Sequence, residues 1–335
     1  MANIKDVAQR AGVSVTTVSH ALNGTRFVSD DARLRVQSAV RELAYVPSAV
    51  ARSLKQNSTR TLGMIIPDNS NPYFAEIIRG VEHCCFTAGY NLILCNSDSE
   101  LARQSANLRV LAEKRIDGLI FVAAGKDPEL GERLEALHLP LVLVDREVPG
   151  LDCDLVEVDH AAGSELATRH LLGLGHPFVA CISGPANLSP STQRRAGWKR
   201  ALAAAGLSRR EGDVMRGDFT SAGGYQAMKT LLARPVRPSA VFVCNDLMAI
   251  GALCAAHEAG LQLPRDLSIV GFDDIALAAY TYPPLTTVAQ PKQAIGTAAA
   301  AMLLERISDP RSESRRQILQ PELRVRQSTA AFTPG

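Results

Sequence analysis

The 335-residue chain predicts an α/β protein with a small all-helical head and a larger body of parallel strands and helices in two lobes. Three observations carry this. Apolar residues within 1–45 recur at helical spacing between tight breaks. From Thr61 onward, short apolar runs alternate with amphipathic helical stretches, the pattern of strand–helix–strand crossovers. Charge divides at the same place: residues 1–60 hold nine Lys/Arg against four acids, a balance of +5, whereas the remainder carries −3 of the overall +2.

The elements follow in order. Ile4, Val7, Ala8 and Ala11 form an i, i+3, i+4, i+7 stripe, and Gly12 ends that helix. Ser14 is an N-cap for a second helix, with Val15, Val18 and Leu22 expected to be buried. Asn23-Gly24 breaks the chain again, and Ser29 caps a third helix with Val36, Val40 and Leu43 facing inward. Pro47 closes the head, so residues 1–46 read as one domain. Residues 48–55 are about two turns of helix, too short to hold alone in water, and 56–60 are a polar linker. Residues 47–60 are thus a hinge. Residues 61–330 form the body. Strands are expected at 62–67, 92–95, 118–122, 141–145, 155–158, 178–183, 240–244 and 268–272. Helices are expected at 74–88, 101–114, 161–172, 192–205, 221–232 and 246–259. About 270 residues is large for one such sheet, which argues for two lobes, with the chain crossing between them near 160 and 290.

Composition narrows the function. With 46% hydrophobic and 21% charged residues the chain is globular, and no apolar run is long enough to span a bilayer. The start, residues 1–10, alternates charged and apolar residues and has no apolar leader segment, so a cytoplasmic location is expected. The seven cysteines are an odd number without C-x-x-C spacing, which implies neither a disulfide framework nor a zinc ribbon. No glycine signature for a dinucleotide follows the first strand, and neither G-x-S-x-G nor a P-loop is present, so no enzyme class is indicated. His83-Cys84-Cys85 points its side chains in different directions on a helix. Cys254 and His257 share a helix face, where packing is the expected role. No metal and no cofactor are expected.

A helix, a turn at Gly12-Val13 and a capped second helix form a helix-turn-helix pattern. The second helix offers Thr16, Thr17 and His20 on the face opposite its apolar stripe. Threonine reaches a phosphate or a thymine methyl, and histidine donates to a guanine edge. Arg26, just beyond, suits guanine or phosphate. A basic head with this face is expected to read double-stranded DNA. Spacing alone favours Leu54 packing on the body, with Lys55 beside it.

Ile4-Lys5-Asp6-Val7-Ala8, Gly12-Val13-Ser14, Thr17-Val18-Ser19 and Tyr45-x-Pro47-x-x-x-Ala51-Arg52-Ser53-Leu54 resemble the lactose/galactose repressor family of bacterial transcription factors. The likeness runs over nearly the whole chain. It implies a homodimer on a pseudo-palindromic operator, with recognition helices in the major groove. It also implies a paired hinge helix whose Leu54 wedges into the minor groove, which reverses the reading from spacing. The chain ends without leucine heptads, so a dimer is expected rather than a dimer of dimers.

In parallel sheets, ligands sit beyond the carboxyl ends of the strands. Polar and aromatic residues gather there: Asn71, Tyr73, Phe74, Asp145, Arg146, Asn245, Asp273 and Gln290, with Arg194 and Phe219 at the starts of other elements. Carboxylates accept, arginines donate and amides do both, which suits sugar hydroxyls, while the aromatics cover apolar ring faces. Taken singly, each strand-end Asp or Asn is more readily a helix cap or turn former than a ligand contact, Asp246 above all. As a set, Asn71-Pro72-Tyr73-Phe74, Asp145-Arg146, Arg194, Phe219, Asn245, Asp273 and Gln290 resemble the sugar contacts of ribose-binding proteins, with Tyr73 where Phe is usual. The body as a whole is similar to two-lobed periplasmic sugar-binding proteins. Cys244-Asn245-Asp246 and Thr286-Thr287-x-x-Gln290-Pro291 look like ribose operon repressors. Purine repressors carry Arg and Thr at the positions of Leu188 and Pro190, so D-ribose is the effector the resemblance implies, with a purine-responsive repressor as the alternative. A sugar-binding protein with no DNA role is the weaker rival.

Overall fold

The computed structural model describes residues 2–24, 26–46, 58–207, 212–310 and 313–333. The chain divides into two compact units, Met1–Thr59 and Arg60–Gly335. In the first, α1 (Ile4–Ala11) starts with a capping box: the Asn3 side chain accepts from the Lys5 and Asp6 amides, and the Asp6 carboxylate accepts from the Asn3 amide. Gly12, at φ 65°, ends it in the left-handed conformation. Ser14 caps α2 (Val15–Asn23) by accepting from the Thr17 amide at 3.0 Å, and Ser29 caps α3 (Asp30–Glu42). Val7, Ala8, Ala11, Val18, Val36 and Ala39 form the core.

One expectation fails here. Val15 is 40% exposed, and Leu22 is only half-buried. Contact from α2 is concentrated at Val18, Ala21 and Leu22. The core is one layer deep, so the first turn of α2 extends past it. Pro47, the expected helix 48–55 with Leu54 and Lys55, and most of the linker lie outside the described residues.

The second unit holds two six-stranded sheets. One comprises β1 (Thr61–Ile66), β2 (Asn91–Asn96), β3 (Gly118–Phe121), β4 (Leu141–Val144), β5 (Asp154–Val158) and β11 (Arg316–Leu319). Its order is β11-β5-β4-β3-β1-β2, parallel throughout. The other comprises β6 (Val179–Ser183), β7 (Val214–Arg216), β8 (Ala240–Val243), β9 (Ser268–Asp273), β10 (Thr286–Ala289) and β12 (Glu322–Arg324), in the order β12-β10-β9-β8-β6-β7. It too is parallel except where β12 runs antiparallel to β10. The inner strands β3, β5, β6, β8 and β9 are buried at every position, as strands covered on both faces must be.

Helices α4 (Pro72–Thr87), α5 (Leu101–Glu113), α6 (Leu130–Glu135) and α11 (Lys292–Ser308) cover the first sheet. Helices α7 (His160–Gly173), α8 (Ser189–Ala204), α9 (Ser221–Leu232) and α10 (Asp246–Glu258) cover the second. Helix α11, missing from the sequence reading, packs on α4 and on β3, β4 and β5. The chain passes between lobes after β5, after β10 and again between β11 and β12. Among the described residues no helix is long and apolar enough to cross a membrane.

Candidate functional site

The carboxyl ends of β1, β4, β6, β8, β9 and β10 converge on the cleft between the two sheets. Asn71, Tyr73, Phe74, Asp145, Arg146, Arg194, Phe219, Asn245 and Asp273 line one small cavity of about 30 Å³ there, together with Pro190. Gln290 stands behind them, its Nε2 donating to Asp273 Oδ1 at 2.7 Å. Three of these residues hold strained backbone: Asp145 at φ 65°, Phe219 at φ 70° and Asp273 at φ 113°. Non-glycine residues in this region cost of order 1–3 kcal/mol each and persist where the surroundings impose them, which is the pattern of a built site. The Phe219 ring lies against the end of β6, where a Cβ on Gly184 would come within 2.3 Å of it, so glycine makes room for the aromatic wall.

The polar groups form one connected network. The Tyr73 hydroxyl stands 3.2 Å from both Asp145 Oδ1 and Gln290 Oε1, so its single proton serves one or the other. His160 Nε2 lies 3.0 Å from Asp145 Oδ1, and Arg194 Nε and its terminal nitrogen approach His160 Nδ1 at 3.4 and 3.3 Å. An arginine donates only, so Nδ1 must be the acceptor, and the network assigns the ring proton to Nε2, where it is donated to Asp145. Arg194 also donates to the Cys244 carbonyl, pairs with Asp273 Oδ1 at 3.3 Å and lies 3.9 Å from the centroid of Phe272. Arg146 donates to the Ala123 carbonyl and faces Asp145 Oδ2 at 3.8 Å.

Burial pulls His160 below its ordinary range, and the Arg194 charge adds to that, so the ring is neutral at pH 7. Burial pushes Asp145 up, but the His160 bond and the guanidiniums of Arg146 and Arg194 outweigh it and hold the carboxyl well below the usual carboxylate range. Tyr73 is raised by burial and by the charges of Asp145 and Asp273, so it remains a phenol. Asp273 is pushed up to about 6 by burial, against the pull of Arg194, Gln290 and Lys292. At neutral pH the cleft therefore presents two carboxylates, two guanidiniums, a neutral imidazole and amides: both donors and acceptors.

The Asp273 shift carries a pH signature. Between about 4 and about 6 the native protein holds a proton on Asp273 that the unfolded chain has released. Stability relative to Asp273→Asn should therefore fall as pH rises across that window and be level outside it. Urea midpoints of both proteins at several pH values read this. A difference that stays constant through the window refutes the shift.

One cap assignment is corrected. Asn245, not Asp246, caps α10, its Oδ1 accepting from the Met248 amide at 3.0 Å. Its Nδ2 donates to the Phe219 carbonyl at 3.0 Å, leaving one amide hydrogen for the cavity. Asp246 is wholly buried and accepts from Thr287 Oγ1 at 2.5 Å and the Ile275 amide at 2.9 Å, tying α10 to β10. Its carboxyl is raised well above the usual range by burial and by Asp273. Asn71 does cap α4, accepting from the Tyr73 amide. His160 and Lys292 were not foreseen. Lys292 donates to the Asp273 and Asp274 carbonyls at 2.8 and 2.6 Å and steadies the strained turn after β9. His160 lies two residues beyond the end of β5, as the first residue of α7, and that near-strand-end position is the signal that could have found it.

In the head, Thr16 and Arg26 are exposed, and Thr17 and His20 are half-buried on the outer side of α2. The Thr17 hydroxyl lies 2.8 Å from Ser14 Oγ, so it is set by the cap as well as being presented outward. Cys254 and His257 are exposed rather than packed, the sulfur turning toward Glu258. Among the described residues no group of three or more His, Cys, Asp or Glu could hold a metal, and all seven cysteines are free thiols.

Comparison with known proteins agrees with this organisation. Residues 3–48 match the family described as bacterial regulatory proteins, lacI family, and residues 168–329 match the periplasmic binding protein-like domain. The chain is 43% identical to the ribose operon repressor of Escherichia coli (strain K12) over 98% of this chain and 100% of that one. It belongs to the lacI family of bacterial regulators. This lacI-family protein is a DNA-binding transcriptional repressor, not an enzyme. It is also 44% identical to the HTH-type transcriptional repressor PurR of Edwardsiella ictaluri, over 98% of this chain and 97% of the other. Among solved structures, a LacI family transcriptional regulator from Enterococcus faecium with bound ribose superposes with a TM-score of 0.74 at 32% identity, covering 82% of this chain and 100% of that one.

Proposed function

We propose that this repressor responds to D-ribose, acts on ribose uptake and catabolism genes, and binds its operator as a cytoplasmic homodimer. The observation that carries the pentose is the small cavity itself. Its wall mixes carboxylates, guanidiniums and amides with Tyr73, Phe74 and Phe219, a fit to a ring with hydroxyl edges and apolar faces. Pro190, buried in the wall of this cavity, puts apolar atoms where the family resemblance implies a polar residue in purine repressors. In the head, Thr16, Thr17, His20 and Arg26 are the residues for the operator, with Leu54 and Lys55 of the hinge at its centre. Exposed apolar surface supports the dimer: Phe86 and Leu94 on one lobe, and Leu277, Tyr280 and Tyr282 on the other.

Ribose bridging the two lobes favours one lobe arrangement, and operator affinity follows if the dimer binds DNA better in the other. Calorimetric titration with D-ribose and, in parallel, hypoxanthine tests the ligand. Anisotropy of a labelled operator duplex tests the coupling. Ribose is expected to bind and to weaken the operator complex by roughly 5–150-fold, the usual range of allosteric coupling. Operator affinity unmoved by saturating ribose refutes the reading. A purine effector is the second reading, favoured by the equal likeness to the PurR protein. Hypoxanthine binding without ribose binding would establish it instead.

A further inference from the structure

The pentose cavity is not the end of the cleft. A second cavity, of about 200 Å³, is lined by the same two loops continued outward: Arg146 to Pro149 on one lobe and Ala186 to Ser189 with Thr192 on the other. Arg146 lines both cavities. It is 7% exposed, and its Nε has no hydrogen-bond partner. Leu130, Val148, Pro149 and Leu188 give the outer space apolar walls, while Asn187 and Ser189 offer polar groups. Both lobes bound it closely, since a Cβ on Gly125 would lie 3.1 Å from Asn187 Nδ2 across the opening.

We infer that the full effector is a pentose carrying a planar substituent, a ribonucleoside, with the sugar in the inner cavity and the base in the outer one. The inference rests on the pentose reading of the inner site. A nucleobase has two apolar faces and a polar edge, which is what apolar walls with a few amides and hydroxyls accommodate. The alternative substituent on a pentose, a phosphate, meets a less suitable wall. Lys126 and Arg146 are there, but so are the carboxylates of Glu147 and of Asp127, the latter already paired with Arg133. A substituent reaching both lobes also adds contacts that exist only when they stand close, so it strengthens the same closure that ribose favours.

Calorimetry with D-ribose, inosine, hypoxanthine and ribose 5-phosphate tests this on the intact protein and on Ala186→Trp, an exposed site whose new side chain fills the outer cavity. Inosine is expected to bind at least about tenfold tighter than D-ribose. Ala186→Trp should remove that gain and leave D-ribose unchanged, which also shows that the variant is folded. Ribose binding with inosine no tighter overturns the inference and leaves the pentose reading standing. So does ribose 5-phosphate binding tighter than inosine. Hypoxanthine as tight as inosine, or silence from all three pentose ligands, overturns the pentose reading and the inference together.

Discussion

Arg194→Met is expected to abolish the response to the pentose while operator binding persists. The guanidinium is 3% exposed and has four commitments at once: Asp273, the Cys244 carbonyl, His160 Nδ1 and the face of Phe272. It couples the carboxylate at the end of β9 to the imidazole that orients Asp145. Its loss leaves a buried carboxylate with less compensation, a change worth roughly 3–5 kcal/mol. Part of that appears as a further rise in the Asp273 pKa. Separately, the cavity loses a charged donor, and the pentose is expected to bind more than about a hundredfold more weakly. Arg194→Lys should not rescue it, because an ammonium cannot reproduce a planar fork that also stacks on a ring. Calorimetry reads the ligand, operator anisotropy reads the head, and thermal unfolding confirms that the lobe is intact. A variant that titrates with the wild-type affinity defeats the assignment.

Val36→Asp should give the opposite phenotype: operator binding lost and pentose binding intact. Val36 is fully buried at the centre of a core of six small residues. A domain this size buries too little apolar surface to hold an unpaired carboxylate, whose cost in such a site is several kcal/mol. It lies on α3 and not on the helix proposed to read DNA, so the loss would come from unfolding rather than from a removed contact. Specific anisotropy should fall to the level of an unrelated duplex, with the calorimetric trace unchanged. Operator affinity within about threefold of wild type would mean that this core is not what presents α2.

The architecture was legible because strands covered on both faces and helices covered on one leave different periodicities. Nine of the ten residues lining the inner cavity were legible, most of them because parallel strands deliver their carboxyl ends to one edge, and Arg194 and Phe219 because they stand near the starts of neighbouring helices. Helix α11 was not, for a physical reason: its buried stripe of Lys292, Ile295, Gly296, Ala299, Ala300 and Leu303 is largely small residues, and Ala294, Ala298 and Ala301 lie on its outer side, so the two faces contrast little in sequence. Strands β7, β11 and β12, of three or four residues, are too short to show a period. That Asn245 and not Asp246 is the cap turns on a single position, because both follow β8 and only the local backbone decides which side chain meets the Met248 amide. Val15 misled because periodicity reports which face turns inward and not how far the neighbouring helices extend.

The three passages between the lobes set a timetable for the chain as it is made. The first sheet has β1 to β5 in hand once Val158 has emerged, yet its edge strand β11 and its covering helix α11 come only after the entire second sheet up to β10. At ribosomal rates that interval is on the order of ten seconds. During it the faces of β3, β4 and β5 that α11 will cover are open, on a nascent protein whose head is already complete. The first lobe, translated first, therefore waits for the last stretch of chain just as the second does, and a chaperone that shields an unfinished parallel sheet has its greatest effect between residues 158 and 292.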